Sequence, residues 1–102
     1  MNTAPKSPFR GQGFTISITI TGKVQGVFFR QSAKEKALEL GLKGQVKNLR
    51  DGNVQIVATG TLDQLAAFTD WCKKGPPRAV VAGVENLELP LKQFDHFTIV
   101  SF

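Results

Sequence analysis

The run Phe14-Thr-Ile-Ser-Ile-Thr-Ile20 alternates apolar and hydroxyl-bearing residues without a break. In an extended chain successive side chains leave on opposite faces, so Phe14, Ile16, Ile18 and Ile20 share one side and Thr15, Ser17 and Thr19 the other. A strand with one buried and one wetter face belongs to a sheet covered on a single side, and such sheets are mostly antiparallel.

The patterns downstream supply the cover. A loop with two glycines runs from Thr21 to Val27, and Phe29, Ala33, Ala37 and Leu40 then fall on one helical stripe that Gly41 closes. Residues 43–49 and 53–59 read as strands joined through Arg50-Asp51-Gly52, an Asp-Gly turn between β-like runs. Thr61 and Gln64 have the spacing of a capping box, which opens a second helix with the stripe Leu62, Leu65, Phe68 and Cys72. Gly75-Pro76-Pro77 stops that helix, and two strands follow, Ala79 to Leu89 and Phe94 to Phe102, around a turn at Pro90. The order predicts an α+β, ferredoxin-like βαββαβ sandwich: a mostly antiparallel sheet, two helices on one face, and a short extra C-terminal strand.

A chain of 102 residues suits one such two-layer domain, placed at 14–102. Residues 1–13, rich in Pro, Gly and polar side chains and without a signal-like apolar stretch, read as a flexible N-terminal extension. No apolar run approaches the roughly 20 residues that span a bilayer, so no membrane partner is expected. The single cysteine, Cys72, cannot form an internal disulfide, which suits a reducing cytoplasm. The net charge of +5 includes Lys6 and Arg10 of the extension. Basic charge alone does not choose between nucleic acid, acidic lipid, a small anionic substrate and plain solubility.

Topology narrows the choice. If the first helix is a crossover, strands one and two run parallel with strand three between them. Two strand spacings then separate their C-terminal ends by about 10 Å at the same edge. The loop Gly22–Phe29 and the strand end at Asn48 should meet there. A strand-to-helix junction leaves backbone N–H groups without internal partners and adds the positive end of the helix dipole, so an anion is welcome. Gly22 and Gly26 can turn successive N–H groups inward, and Arg30, in the first helical turn, can fork onto two phosphate oxygens. Asn48 could hold a water in line with a bound phosphorus. Read without further context, the glycines could equally make only a turn, Arg30 be a surface charge, and Asn48 cap its own hairpin.

The spacing of these residues resembles that of the acylphosphatase family. Gly22-Lys-Val-Gln-Gly-Val-Phe-Phe-Arg30 is similar to the family signature G-x-V-x-G-V-x-[FY]-R. Gly44-Gln-Val-Lys-Asn48, continuing to Gly52-Asn-Val54 and Gly60, resembles the second signature. Leu40-Gly-Leu42, Gly75-Pro-Pro77 and Phe94-x-x-Phe97-x-Ile99 extend the resemblance over residues 14–102. The resemblance implies that Arg30 and the backbone amides of Gln25, Gly26, Val27, Phe28, Phe29 and Arg30 bind phosphate while Asn48 orients the water. It implies an enzyme acting on small acyl phosphates that needs no metal or cofactor; a cytoplasmic monomer without a nucleic-acid partner is the expectation alongside it. Two positions depart from the pattern. Gln45 stands where the family usually has a bulky aromatic, and Ala33 where many members carry a hydroxyl.

Other chemistry fits the residues less well. Cys72 and Arg78 have the C-x5-R spacing of cysteine phosphatases, but Cys72 falls in the last turn of a helix and Pro76 and Pro77 donate no N–H. One histidine, His96, and one cysteine make no metal cluster, and there is no tyrosine. RNA-recognition modules share the architecture but stack bases on aromatics of the central strands, and strand three, Asn53 to Thr59, has none. A carbamoyl-phosphate-processing accessory domain, like that heading hydrogenase-maturation carbamoyltransferases, is the nearest alternative within the same chemistry.

Overall fold

The computed structural model describes residues 13–101, so the extension assigned to residues 1–13 lies, except for Gly13, outside the described residues. Seven elements follow in the order β1 (Phe14–Lys23), α1 (Phe29–Leu40), β2 (Lys43–Asn48), β3 (Val54–Gly60), α2 (Leu62–Lys74), β4 (Val80–Leu89) and β5 (Phe97–Val100). They form one five-stranded sheet in the order β4-β1-β3-β2-β5. β3 pairs antiparallel with both β1 and β2, which makes β1 and β2 parallel, and β5 adds to β2 in parallel. This is the ferredoxin-like α+β fold, extended by one strand.

Register explains the layers. Ile16, Ile18 and Ile20 face Ala58, Ile56 and Val54 across β1 and β3, and Val46 lies beside Ile56. These residues make the covered face, against which α1 lays Phe29, Ala33 and Ala37 and α2 lays Leu65, Phe68 and Cys72. Phe68 stacks on Trp71 at 6.0 Å and meets Phe97 edge-on at 6.2 Å, while Trp71 meets Phe29 at 5.4 Å. Each such pair contributes about 0.5–1.5 kcal/mol beyond its area burial. Together they tie both helices to the added strand. Leu62 departs from the expected stripe. It lies in the first turn of α2 and is 62% exposed, about 60° around the helix from Leu65 and past the edge of the buried face.

The opposite face is polar on its central strands, where Thr15, Ser17 and Thr19 of β1 face Thr59, Val57 and Gln55 of β3. Thr15 is nonetheless fully buried, because residues 90–96 must carry the chain from one edge of the sheet to the other. Four strand spacings amount to about 19 Å, which seven residues cross only when nearly extended. This strap is held at Lys92, whose N–H donates to Thr15 Oγ1 (2.9 Å) and whose carbonyl accepts from Thr59 Oγ1 (2.7 Å). It crosses the end of the sheet where β1 begins, leaving the end where β1 and β2 finish uncovered.

Within β2, Gly44 is fixed by a close approach. Its φ is 153°, and a Cβ there would run into the Val57 carbonyl of β3. Only glycine lets the two strands meet at that point.

Candidate active site

The two helices begin differently. At α2 the Thr61 hydroxyl accepts from the Gln64 N–H (3.1 Å) and the Gln64 side chain accepts from the Thr61 N–H (2.8 Å). Asp63 adds negative charge in that first turn. Such a box stabilises a helix start by about 1 kcal/mol. At α1 the cap residue is Phe28, with no side-chain cap bond, and the first turn has no acid. It carries Arg30 instead, a cation at the positive end of the dipole, which opposes helix stability by about 0.3–1 kcal/mol. The first bond into this helix is the Ser32 N–H to the Phe28 carbonyl (3.0 Å), and the N–H groups of residues 25–31 meet no backbone acceptor among the described residues.

Backbone conformation at this loop is also unusual. Gly26 (φ 75°) and Phe28 (φ 63°) are both left-handed, and Phe28 is the single non-glycine residue with positive φ among those described. A bulky side chain in that region costs about 1–2 kcal/mol. Alternation of left- and right-handed residues turns consecutive N–H groups to one side and makes an anion nest. Three locally unfavourable choices thus coincide at one helix start: no cap, a misplaced cation and a strained aromatic. An anion seated there would satisfy the free N–H groups and the cation together.

Asn48 arrives from the sheet. It lies opposite Val54 in register and alternates with Val46 and Gly44, which puts it on the face that carries α1. Because α1 runs back along the sheet, its start stands over the ends of β1 and β2. Gln25 fixes the junction, its Nε2 donating to the carbonyls of Leu49 (2.7 Å) and Asn53 (2.8 Å). The hairpin turn is satisfied by Asp51, which accepts from the Asn53 N–H (3.0 Å), so Asn48 is not needed to cap it.

Between loop and sheet lies an open cleft of about 380 Å³ lined by Val24, Gly26, Phe28, Phe29, Arg30, Gln31, Asn48 and Ile99. It brings Arg30, Asn48, Gly26, Phe28 and Phe29 together. Gln25 and Val27 do not line it with their side chains: Gln25 is turned to the hairpin, and Val27 is in the core. Neither Arg30 nor Asn48 has a side-chain hydrogen bond or ion pair among the described residues. Ile99 escaped the sequence reading of the site because its place depends on β5 pairing with β2 at Val46, and neither strand's own pattern encodes that pairing.

A second, larger cleft of about 510 Å³ contains Lys34, Lys43 and His96 but opens beside Gly41 and Leu42, at the end of α1 where the dipole is negative. It lacks the converging N–H groups of the first. His96 is exposed, and its carbonyl holds the Gly44 N–H at the far end of β2 from Asn48. Cys72 is buried and its thiol is pushed up to about 12 by desolvation, so it offers no thiolate at neutral pH. Among the described residues no group of His, Cys, Asp and Glu could hold a metal, and no helix is long and apolar enough to cross a membrane. Of the two departures, Ala33 is fully buried on α1, and Gln45 lies on the uncovered face between Val57 and Thr98.

Fold and site together define a two-layer α+β sandwich with an open cleft, lined by a guanidinium and carboxamides, at an uncapped helix start. The acylphosphatase family model matches residues 16–99. An acylphosphatase of Marinobacter nauticus is 54% identical over 76 residues, covering 74% of this chain and 83% of the relative. The structure of an acylphosphatase from Coxiella burnetii superposes with a TM-score of 0.85 at 43% identity, covering 87% of this chain and 94% of that one. HypF of T. kodakarensis matches with a TM-score of 0.73 at 38% identity, over 83% of this chain but 11% of that chain. The chain belongs to the acylphosphatase family.

Proposed function

We propose that this enzyme hydrolyses the carboxyl–phosphate bond of acyl phosphates in the cleft at the start of α1. Arg30 and the N–H groups of residues 25–30 hold the phosphate, and the Asn48 carboxamide places the attacking water. Water forms a new P–O bond as the bond to the acyl oxygen breaks. The carboxylate leaves with the electron pair, and the water's proton passes to a phosphate oxygen. The products are carboxylate and inorganic phosphate.

One observation carries this reading: the cleft offers one guanidinium, from Arg30, and two carboxamides, from Asn48 and Gln31, and among the described residues no carboxyl, imidazole, thiol or phenol lines it. A phosphatase without a general acid needs a leaving group that departs as an anion. A carboxylate does, its acid having a pKa of roughly 4, whereas an alkoxide does not. With a loose phosphoryl transition state, positioning and charge stabilisation suffice. Nothing in this scheme asks for a metal or cofactor, or for a second subunit. Residues 14–102 are read as the catalytic domain of a cytoplasmic monomer, with residues 1–13 as its extension.

The test is a comparison of benzoyl phosphate with p-nitrophenyl phosphate, each with and without EDTA. Benzoyl phosphate is expected to be turned over at least 10³-fold faster, in keeping with the size of the leaving-group argument, and EDTA to leave the rate unchanged. Turnover of the aryl ester alone, or loss of activity with EDTA, would refute the assignment. Carbamoyl phosphate, itself an acyl phosphate, is the natural third substrate in that assay.

A further inference from the structure

The phosphate half of the cleft accounts for Arg30, Asn48 and the loop amides, but not for its apolar wall. Phe28 is 71% exposed and Ile99, from β5, is 36% exposed, and both line the same cleft. Large apolar side chains left open at a concave site gain by being covered. Phe28 is the sharper anomaly. It occupies a left-handed position where glycine or asparagine would be unstrained, it caps a helix without supplying a cap bond, and it buries little of itself in the core. Neither backbone preference nor packing calls for an aromatic there. The family signature leaves the residue before [FY]-R free, so phosphate binding does not call for one either.

We infer that the Phe28 ring, with Ile99 opposite, forms the platform on which the acyl substituent rests, and that it gives the enzyme a preference for aromatic or bulky acyl groups. The inference rests on the site proposed above: with phosphate on Arg30 and the nest, the acyl carbon lies one bridging oxygen away, beside the residues that lead into the helix. An aromatic acyl group can stack on the Phe28 ring, whereas an acetyl group is too small to cover it. The carboxylate formed then leaves across an apolar wall that offers it no hydrogen bond.

The discriminating quantity is the ratio of kcat/KM for benzoyl phosphate to that for acetyl phosphate, measured on the full chain as wild type, Phe28→Ala, Phe28→Leu and Ile99→Ala. Phe28→Ala is expected to lower this ratio about tenfold, the scale of uncovering part of an aromatic side chain, and Phe28→Leu to restore part of it. Ile99→Ala should lower it about threefold and serves as an independent probe of the wall should Phe28→Ala fold poorly. An unchanged ratio in Phe28→Ala, whether both rates hold or both fall together, would overturn the inference and leave Phe28 a loop-shaping residue. If the ratio is unchanged in Ile99→Ala, Ile99 is no part of the platform and the inference as stated fails. A wrong phosphate site would show separately, as an Arg30→Ala variant whose inhibition by inorganic phosphate matches the wild type.

Discussion

Arg30→Ala is expected to lower kcat/KM for benzoyl phosphate by about 10²–10³ or more, the scale of losing a principal transition-state contact. Arg30 is half-buried at the cleft, and no ion pair among the described residues competes for its guanidinium. Its charge should bear most strongly as the phosphoryl group loosens and its oxygens are held in plane. Stability should move the other way. Removing a cation from the positive end of α1 relieves a repulsion, so the melting temperature of the variant is expected to hold or rise slightly. Arg30→Lys should recover only part of the rate, because a single ammonium cannot fork onto two oxygens. Thermal unfolding, steady-state kinetics and phosphate inhibition on the same samples separate these effects, and wild-type kinetics in the alanine variant would remove Arg30 from the mechanism.

Asn48→Ala is expected to cost about 10²–10³ in kcat with little change in KM. The distinction follows from what the side chain is proposed to touch. A group that positions water acts on the step in which the P–O bond forms, while the substrate is held by Arg30 and the loop. Folding should be nearly unaffected: Asn48 is half-buried at the end of β2, and the turn beyond it is already satisfied by Asp51. A KM effect without a kcat effect would reassign Asn48 to substrate binding. A large loss of stability would reassign it to the hairpin.

Much of this arrangement was legible before any coordinates. The unbroken alternation of Phe14–Ile20 implied a one-sided sheet, the Asp-Gly turn implied the β2–β3 hairpin, and the Thr61–Gln64 spacing implied the start of α2. Crossover geometry then brought Asn48 to the loop before Arg30. What stayed hidden depended on long-range pairing or on backbone angles. Ile99 reaches the cleft because β5 joins β2, a choice of partner that neither strand's own residues encode. The Gln25 clamp depends on the loop lying against the carbonyls of Leu49 and Asn53. The left-handed Phe28 contradicts the preference of its residue type, and no local rule anticipates a bulky aromatic there. Leu62 fitted the helical stripe in sequence but lies about 60° around the helix from Leu65, past the edge of the covered face.

The local choices that oppose stability are not scattered. The strained Phe28, the cation in the first turn and the uncapped N–H groups all fall within residues 25–31, whereas α2 starts with a complete capping box and an acid in its first turn. Local choices that oppose stability in a chain otherwise consistent with its fold mark the place where something other than folding is being served.

Titration of uniformly ¹⁵N-labelled protein with inorganic phosphate tests that point most directly. The largest saturable shifts should fall on the backbone amides of residues 25–31, the Arg30 Nε–H and the Asn48 Nδ2–H groups. The same titration on Arg30→Ala should need at least tenfold more phosphate. Shifts centred instead on Lys34, Lys43 and His96, or none at the α1 start, would contradict an anion seat there and with it the catalytic roles built on that seat.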